Sequence, residues 1–168
     1  MTTIAFDGKR LAADSQVCNG DVIAPIGIQK LWYIRHAGRN AVVGGSGTPT
    51  SIMALARLFL QNLPAVREHH AVLIAPTFPV DQGGSAIMLD VETRRVFHMG
   101  QDGSCVEITG SQFACGSGRE FALGAMFAGA SALDAIKIAK QLDPWSGGEV
   151  YGVSLDADFD SANWQEVQ

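Results

Sequence analysis

Apolar positions in the first third of the chain come in short runs broken by glycine, aspartate and proline, which is a β pattern. Ile4-Ala5-Phe6 and Leu11-Ala12-Ala13 flank Asp7-Gly8, a dipeptide suited to the positive φ of a tight turn, and the arrangement predicts a hairpin. Val22 to Ile28 and Lys30 to Ile34 are further β-leaning segments separated by Gln29, the first interrupted by Pro25 and Gly27. A loop over His36 to Asn40 leads into Ala41-Val42-Val43, the pattern of a buried strand. Gly44-Gly45-Ser46-Gly47 then reads as a tight turn into a helix, with Thr48 as N-cap and Pro49 at the first helical position. Ile52, Leu55, Leu58-Phe59 and Leu63 recur at helical spacing, and Pro64 is expected to end the run.

The remaining chain alternates in the same way. Pro76 to Gly84 reads as a loop, and Ser85 to Asp90 with Arg95 to Met99 as a hairpin across Val91 to Arg94. Val106 to Ile108 and Phe113 to Cys115 continue the β character, after which Gly116-Ser117-Gly118 opens a second helix. A third helix starts at Ser131-Ala132-Leu133-Asp134, which has the capping-box form. Its buried face is expected to carry Ala135, Ile136, Ile138, Ala139 and Leu142, and Pro144 to end it near Leu142. Val150 to Leu155 makes a last strand before an acidic, solvated tail. This order fits an α+β chain of two sheets with helices outside them.

Composition narrows the function. With 168 residues and neither a linker nor a repeat, the chain reads as one domain over 1–168. A hydrophobic fraction of 47% beside only 17% charged residues points to apolar surface used between subunits, hence a homo-oligomer. No apolar run reaches the roughly 18 residues of a membrane span, and no signal sequence opens the chain, so a cytoplasmic protein without a membrane partner is expected. A net charge of −5, with its arginines scattered, argues against nucleic acid. Cys18, Cys105 and Cys115 lack metal spacing and read as reduced thiols. The histidines form no metal pair, and Asp156 to Asp160 lacks the later positions of a calcium loop, so neither metal nor cofactor is expected.

Several positions carry chemistry. With Met1 removed, Thr2 would hold a hydroxyl and a free α-amine on one residue, a nucleophile and its base together; Met-Thr is also an ordinary start with no such meaning. Lys30 follows Asp14 by 16 positions in an apolar segment. A lysine there is commonly a strand-edge cation with a solvated tip, yet beside an amine it would favour the neutral amine and stabilise developing negative charge. Gly44 to Gly47 could present N–H groups to an oxyanion or simply turn the chain, and no phosphate-loop Gly-Lys-Ser/Thr follows it. In Asp143-Pro144-Trp145-Ser146-Gly147-Gly148, an acid and a hydroxyl stand three apart before two glycines; an ordinary aspartate turn is the plainer reading.

Taken in order, Thr2-Thr3-Ile4, Asp14, Lys30-Leu31, Gly44 to Gly47, Gly116-Ser117-Gly118 and Asp143 to Gly148 resemble the proteasome β-subunit family of N-terminal-nucleophile hydrolases, which includes HslV. The resemblance covers nearly the whole chain. It implies a four-layer αββα sandwich of two antiparallel sheets and a threonine endopeptidase acting from its mature N-terminus. Thr2 would be the nucleophile, Lys30 would tune it and Asp14 would orient Lys30. Ser117, Asp143 and Ser146 would complete the network about the amine, and the N–H of Gly47 would serve the oxyanion. The same pattern implies a substrate pocket lined by Val17, Ile28, Trp32, Gly45 and Pro49, hence a preference for apolar or aromatic side chains before the scissile bond.

The partners implied are peptides or unfolded proteins, further copies of the chain in a double ring of six or seven subunits per ring, and an ATP-dependent unfoldase. The Asp143 to Gly148 motif is closer to the proteasome than to HslV, whereas the bare Met-Thr start is closer to HslV, so ring symmetry stays open. Two alternatives belong to other classes. A catalytically silent ring subunit is disfavoured by the intact set Thr2, Asp14 and Lys30. An amidase acting on a small molecule is disfavoured by the little room left for substrate-binding insertions.

Overall fold

The computed structural model describes residues 2–75 and 84–166, apart from the side chains of Pro25 and Ile26. Most of the loop expected over 76–84, and Met1, lie outside the described residues. In chain order the elements are β1 (Thr3–Phe6), β2 (Arg10–Ala13), β3 (Gln16–Asn19), β4 (Val22–Gly27), β5 (Leu31–His36), β6 (Arg39–Gly47), α1 (Pro49–Gln61), α2 (Leu63–Glu68), β7 (Ala71–Leu73), β8 (Gly84–Asp90), β9 (Val96–Gly100), β10 (Ser104–Glu107), β11 (Phe113–Gly116), α3 (Arg119–Phe127), α4 (Ala132–Leu142), β12 (Tyr151–Ser154) and β13 (Gln165–Glu166). They fall into two compact units, and the class is α+β.

The first unit gathers the chain up to Leu31, Gly44–Ser46 and Gly110–Ala157. Its sheet runs β11-β1-β2-β12, with every neighbour antiparallel, and β3 and β4 form a separate hairpin. The predicted opening hairpin is β1–β2, closed by Asp7 N–H to the Arg10 carbonyl. Asp7 does more than turn the chain. Its Oδ1 accepts from the N–H groups of Lys9 and Arg10, and its Oδ2 from that of Ala132 at the start of α4. Burial works against its ionisation, but those N–H groups outweigh burial and hold the carboxyl below its usual range.

Helices α3 and α4 cover this sheet through Ala5, Ala12, Ala114, Ala122, Met126, Ala132, Ala135, Ile136 and Ala139. So many alanines let helix and strand backbones approach closely. The Ser131 hydroxyl accepts from Asp134 N–H as the capping pattern predicts, and Asp143 leaves the helix at φ −95° and ψ 112°. The expected buried face is wrong at its edge: Ile138 is 40% exposed and Leu142 58% exposed. Both continue the i, i+4 row that starts at Asp134, while the sheet-facing row is filled by Ala132, Ala135, Ile136 and Ala139.

The second unit comprises Trp32–Val43, Gly47–Thr109 and Asp158–Gln168. Its strands follow the order β13-β5-β6-β8-β9-β10-β7, and α1 lies on β8. Ile52, Leu55, Phe59, Leu60 and Leu63 pack with Val43, Met88, Phe97 and Met99 in its core. Thr48 caps α1 as predicted, its Oγ1 accepting from Ser51 N–H, with Pro49 first in the helix. Pro64, however, ends nothing. The helical path breaks at Asn62, where the Asn62 side chain takes the Leu58 carbonyl and the Arg39 guanidinium takes those of Leu60 and Gln61. Pro64 then sits in the first turn of α2, where its missing N–H costs nothing.

Two further expectations change. Gly44 to Gly47 continues β6 and is not a turn. A Cβ on Gly44 would stand 2.9 Å from Ile4 Cγ2 and 3.0 Å from Leu31 Cδ2, so glycine lets the strand run where a side chain would not fit. The acidic tail is only partly solvated: Phe159 is buried against Tyr33 with the Arg94 guanidinium over its ring, and β13 pairs parallel to β5. Aromatic anchoring of Phe159 and Trp164 on Tyr33 outweighs the acids around them.

Candidate active site

All of the candidate catalytic residues except Gly47 lie in the first unit, around the start of β1. Thr2 and Thr3 are buried, and β1 is an interior strand, so hydrogen bonds hold this stretch from both sides. On one side Thr3 pairs with Gly116, and Ser117 N–H donates to the Thr2 carbonyl across 2.8 Å. That close pass requires glycine at 116: its φ is +95°, and an added Cβ would stand 1.9 Å from the Thr2 oxygen.

On the other side lies Asp14, which has no exposed surface. Its Oδ1 accepts from Thr3 N–H at 2.9 Å and from Lys30 Nζ at 3.0 Å. Its Oδ2 accepts from Lys30 Nζ and Gly147 N–H, both at 3.1 Å, and from Gln16 N–H at 3.2 Å. A buried carboxylate so fully surrounded by donors can remain charged, and that charge in turn holds the buried ammonium. Burial pushes Lys30 below the usual lysine range, although the attraction and hydrogen bonds of Asp14 oppose the shift. The lysine is therefore no solvated strand-edge cation.

A second cluster stands against Thr3. Ser117 Oγ donates to Asp143 Oδ2 at 2.7 Å and Ser146 Oγ to the same oxygen at 2.6 Å. Ser117 Oγ also lies 3.4 Å from the Thr2 carbonyl oxygen. Thr3 Oγ1 is 2.5 Å from Ser146 Oγ and accepts from Gly118 N–H at 3.1 Å. The Gly147 N–H on Asp14 ties the loop after α4 to the lysine pair, so Asp14, Lys30, Ser117, Asp143 and Ser146 meet around Thr2-Thr3.

The pocket-lining candidates are divided. Val17 is half-buried on β3, Ile28 is 38% exposed and Gly45 is buried in β6, all in the first unit. Trp32 leans on the core of the second unit, where Pro49 starts α1 and Gly47 ends β6 with φ +137°.

Sequence reasoning missed Thr3, Gln16, Gly118 and Gly147 as parts of the site. Gln16 Nε2 donates to the Pro144 carbonyl, and a Cβ on Gly147 would stand 2.1 Å from Gln16 Oε1. A Cβ on Gly118 would stand 2.2 Å from Thr3 Oγ1. The paired glycines of each motif were the available signal, since backbone that must pass close to something selects glycine. Among the described residues no cluster of histidine, cysteine or acid could hold a metal ion. No helix among them is long and apolar enough to cross a membrane.

These sheets, helices and interior first strand are those of the proteasome-type N-terminal-nucleophile hydrolase fold. Among solved structures, the chain is similar to the eukaryotic HslV of Trypanosoma brucei, with a TM-score of 0.67 and 19% identity over 90% of this chain and 98% of that one. It is also similar to BPH of Thiobacillus denitrificans, with a TM-score of 0.59 and 22% identity over 94% of this chain and 99% of that one. BPH in complex with epoxomicin gives a TM-score of 0.60 at 20% identity, covering 94% of this chain and 100% of that one. No family model and no curated protein sequence matches the chain. At these identities the likeness carries the fold, and the function rests on the site.

Proposed function

We propose that this chain is a threonine endopeptidase of the proteasome type, a single catalytic domain acting from Thr2 once Met1 is removed. The observation that carries the reading is the shared Asp14 oxygen: Lys30 Nζ and Thr3 N–H both donate to Oδ1, which fixes a buried ion pair one residue from the candidate nucleophile. In the proposed reaction, Thr2 Oγ attacks a peptide carbonyl while its proton passes through water to the Thr2 amine. An ester forms on Thr2, the amine's proton leaves with the departing peptide amine, and water then hydrolyses the ester to restore Thr2. An α-amine has an ordinary pKa of about 7.7–8.0, so only a small downward shift readies it as a base, and the neighbouring Lys30 cation pushes that way.

Support for peptide substrates comes from BPH, whose fold this chain shares and which has been solved with epoxomicin bound. We further propose self-assembly into a ring chamber, in keeping with the exposed Phe121, Phe127, Ile138 and Leu142 on α3 and α4. Intact-mass measurement of the purified protein, with fluorogenic peptide hydrolysis by wild type and Thr2→Ala, tests the reading. A chain beginning at Thr2 that loses all hydrolysis on Thr2→Ala supports it. A chain that retains Met1 and hydrolyses nothing would leave a silent structural subunit as the answer.

A further inference from the structure

We infer that Thr3 is a positioning residue for the proposed hydrolysis, its hydroxyl donating to Ser146 and so fixing the rotor of a serine that shares the Asp143 carboxylate with Ser117. The inference rests on the reading of Thr2 as nucleophile. A serine or threonine hydroxyl has one proton to give and two lone pairs. The Ser146 proton goes to Asp143 Oδ2 at 2.6 Å and the Ser117 proton to the same oxygen at 2.7 Å. In the 2.5 Å contact between Thr3 Oγ1 and Ser146 Oγ, the donor is therefore Thr3. Thr3 Oγ1 itself accepts from Gly118 N–H at 3.1 Å. Every bond in the series then points one way, from the Gly118 amide through Thr3 and Ser146 to the Asp143 carboxylate.

That direction has a chemical result. Both serines have committed their protons to Asp143, so towards a Thr2 amine they act only as acceptors. Serine oxygens that accept N–H bonds orient the amine and leave its lone pair for the proton of the attacking hydroxyl. Thr3 occupies one lone pair of Ser146 and locks its rotor, which limits how strongly Ser146 can hold an ammonium. Thr3 is fully buried, and its own N–H lies on Asp14 Oδ1. One residue thus joins the lysine pair to the hydroxyl series without facing substrate.

The test compares wild type, Thr3→Val, Thr3→Ser, Thr3→Cys and Thr2→Ala, each with Met1 removal verified by intact mass and folding by circular dichroism. Thr3→Val keeps the shape without the hydroxyl, and kcat should fall by about 10²-fold with KM little changed, since misorientation at a reacting centre costs that much. Its acid limb in kcat/KM should move to higher pH, because the freed Ser146 lone pair favours the ammonium form. Thr3→Ser should restore both. Thr3→Cys, a poor donor of similar shape, should lie between, and it carries the test if Thr3→Val does not fold. An inactive Thr2→Ala beside a Thr3→Val or Thr3→Cys of wild-type rate and pH profile overturns the role of Thr3 alone. So does a Thr3→Val rate loss with an unmoved acid limb that Thr3→Ser fails to rescue. Full activity in Thr2→Ala removes the reading beneath it.

Discussion

The N–H of Gly147 donates to Asp14 Oδ2 across 3.1 Å, joining residues 133 positions apart at a carboxylate with no exposed surface. Asp14 is thereby the point at which the first hairpin, the lysine and the loop after α4 agree on one geometry. Replacing it should be felt in folding as much as in chemistry. In Asp14→Asn one oxygen becomes an NH2 facing N–H donors, and the buried Lys30 ammonium loses its counter-charge. Breaking a buried pair in this way costs about 3–5 kcal/mol, a loss to be read from urea unfolding of the variant against wild type. An unchanged midpoint would show that the pair is not structural.

Gly118→Ala places a Cβ 2.2 Å from Thr3 Oγ1, at a position with ordinary negative φ, so the clash and not the backbone is the difficulty. Overpacking of a dense core costs roughly 1–3 kcal/mol. The same variant should lose peptide hydrolysis out of proportion to its stability, because the shifted atom is the threonine hydroxyl. Gly124→Ala, inside the helix that Gly118 caps and with open space at its Cβ, is the control expected to leave hydrolysis unchanged and to raise stability by about 0.4–1 kcal/mol.

Acid sensitivity should concentrate in the second unit. Arg95 forks onto Glu107 at 2.8 and 2.6 Å, which with His70 holds the Glu107 carboxyl down to about 2 against an ordinary 4.5. Asp90, burial notwithstanding, is likewise lowered by the Arg67 fork and the Thr93 hydroxyl. A folded-state pKa below the unfolded one contributes stability that is complete above the unfolded value and is lost as pH falls through the folded one. Stability should therefore decline from about pH 4.5 towards pH 2, and Glu107→Gln should flatten that decline in urea titrations taken at successive pH values.

Thiol reactivity gives a check on packing. Burial pushes the Cys105 thiol up to about 12, and Cys115 is buried as well, whereas Cys18 is half-buried on β3. Iodoacetamide near neutral pH should modify Cys18 in the native protein and all three cysteines in urea. Labelling of Cys105 under native conditions would mean that the core of the second unit opens.

Local signals were legible in the chain and long-range ones were not. The Asp7-Gly8 hairpin, the Thr48-Pro49 helix start and the Ser131 cap each depend on a few neighbouring residues, and all three formed as expected. Gly44 to Gly47 looks locally like a turn, whereas it continues β6, with Gly44 running close against Ile4 and Leu31, which no local window contains. The first helix stops at Gln61, short of Pro64, where Asn62 and Arg39, the latter from a strand, take its last carbonyls. Within the site, Asp14, Lys30, Ser117, Asp143 and Ser146 were identified as a set by their resemblance to a family. Thr3 escaped notice for a plain reason: a threonine next to the start of a strand looks like any β-former, and only its partners show what its hydroxyl does.

Chain ends in most domains fray, and a reactive group on such an end would sample many positions. Here β1 lies inside its sheet, bonded to β11 on one flank and β2 on the other, so the segment leading to Thr2 has no loose edge. The ordering of that segment is complete when the sheet folds. Under the proposed reading, a peptide carbonyl arriving at Thr2 would meet a residue whose following strand is already in place.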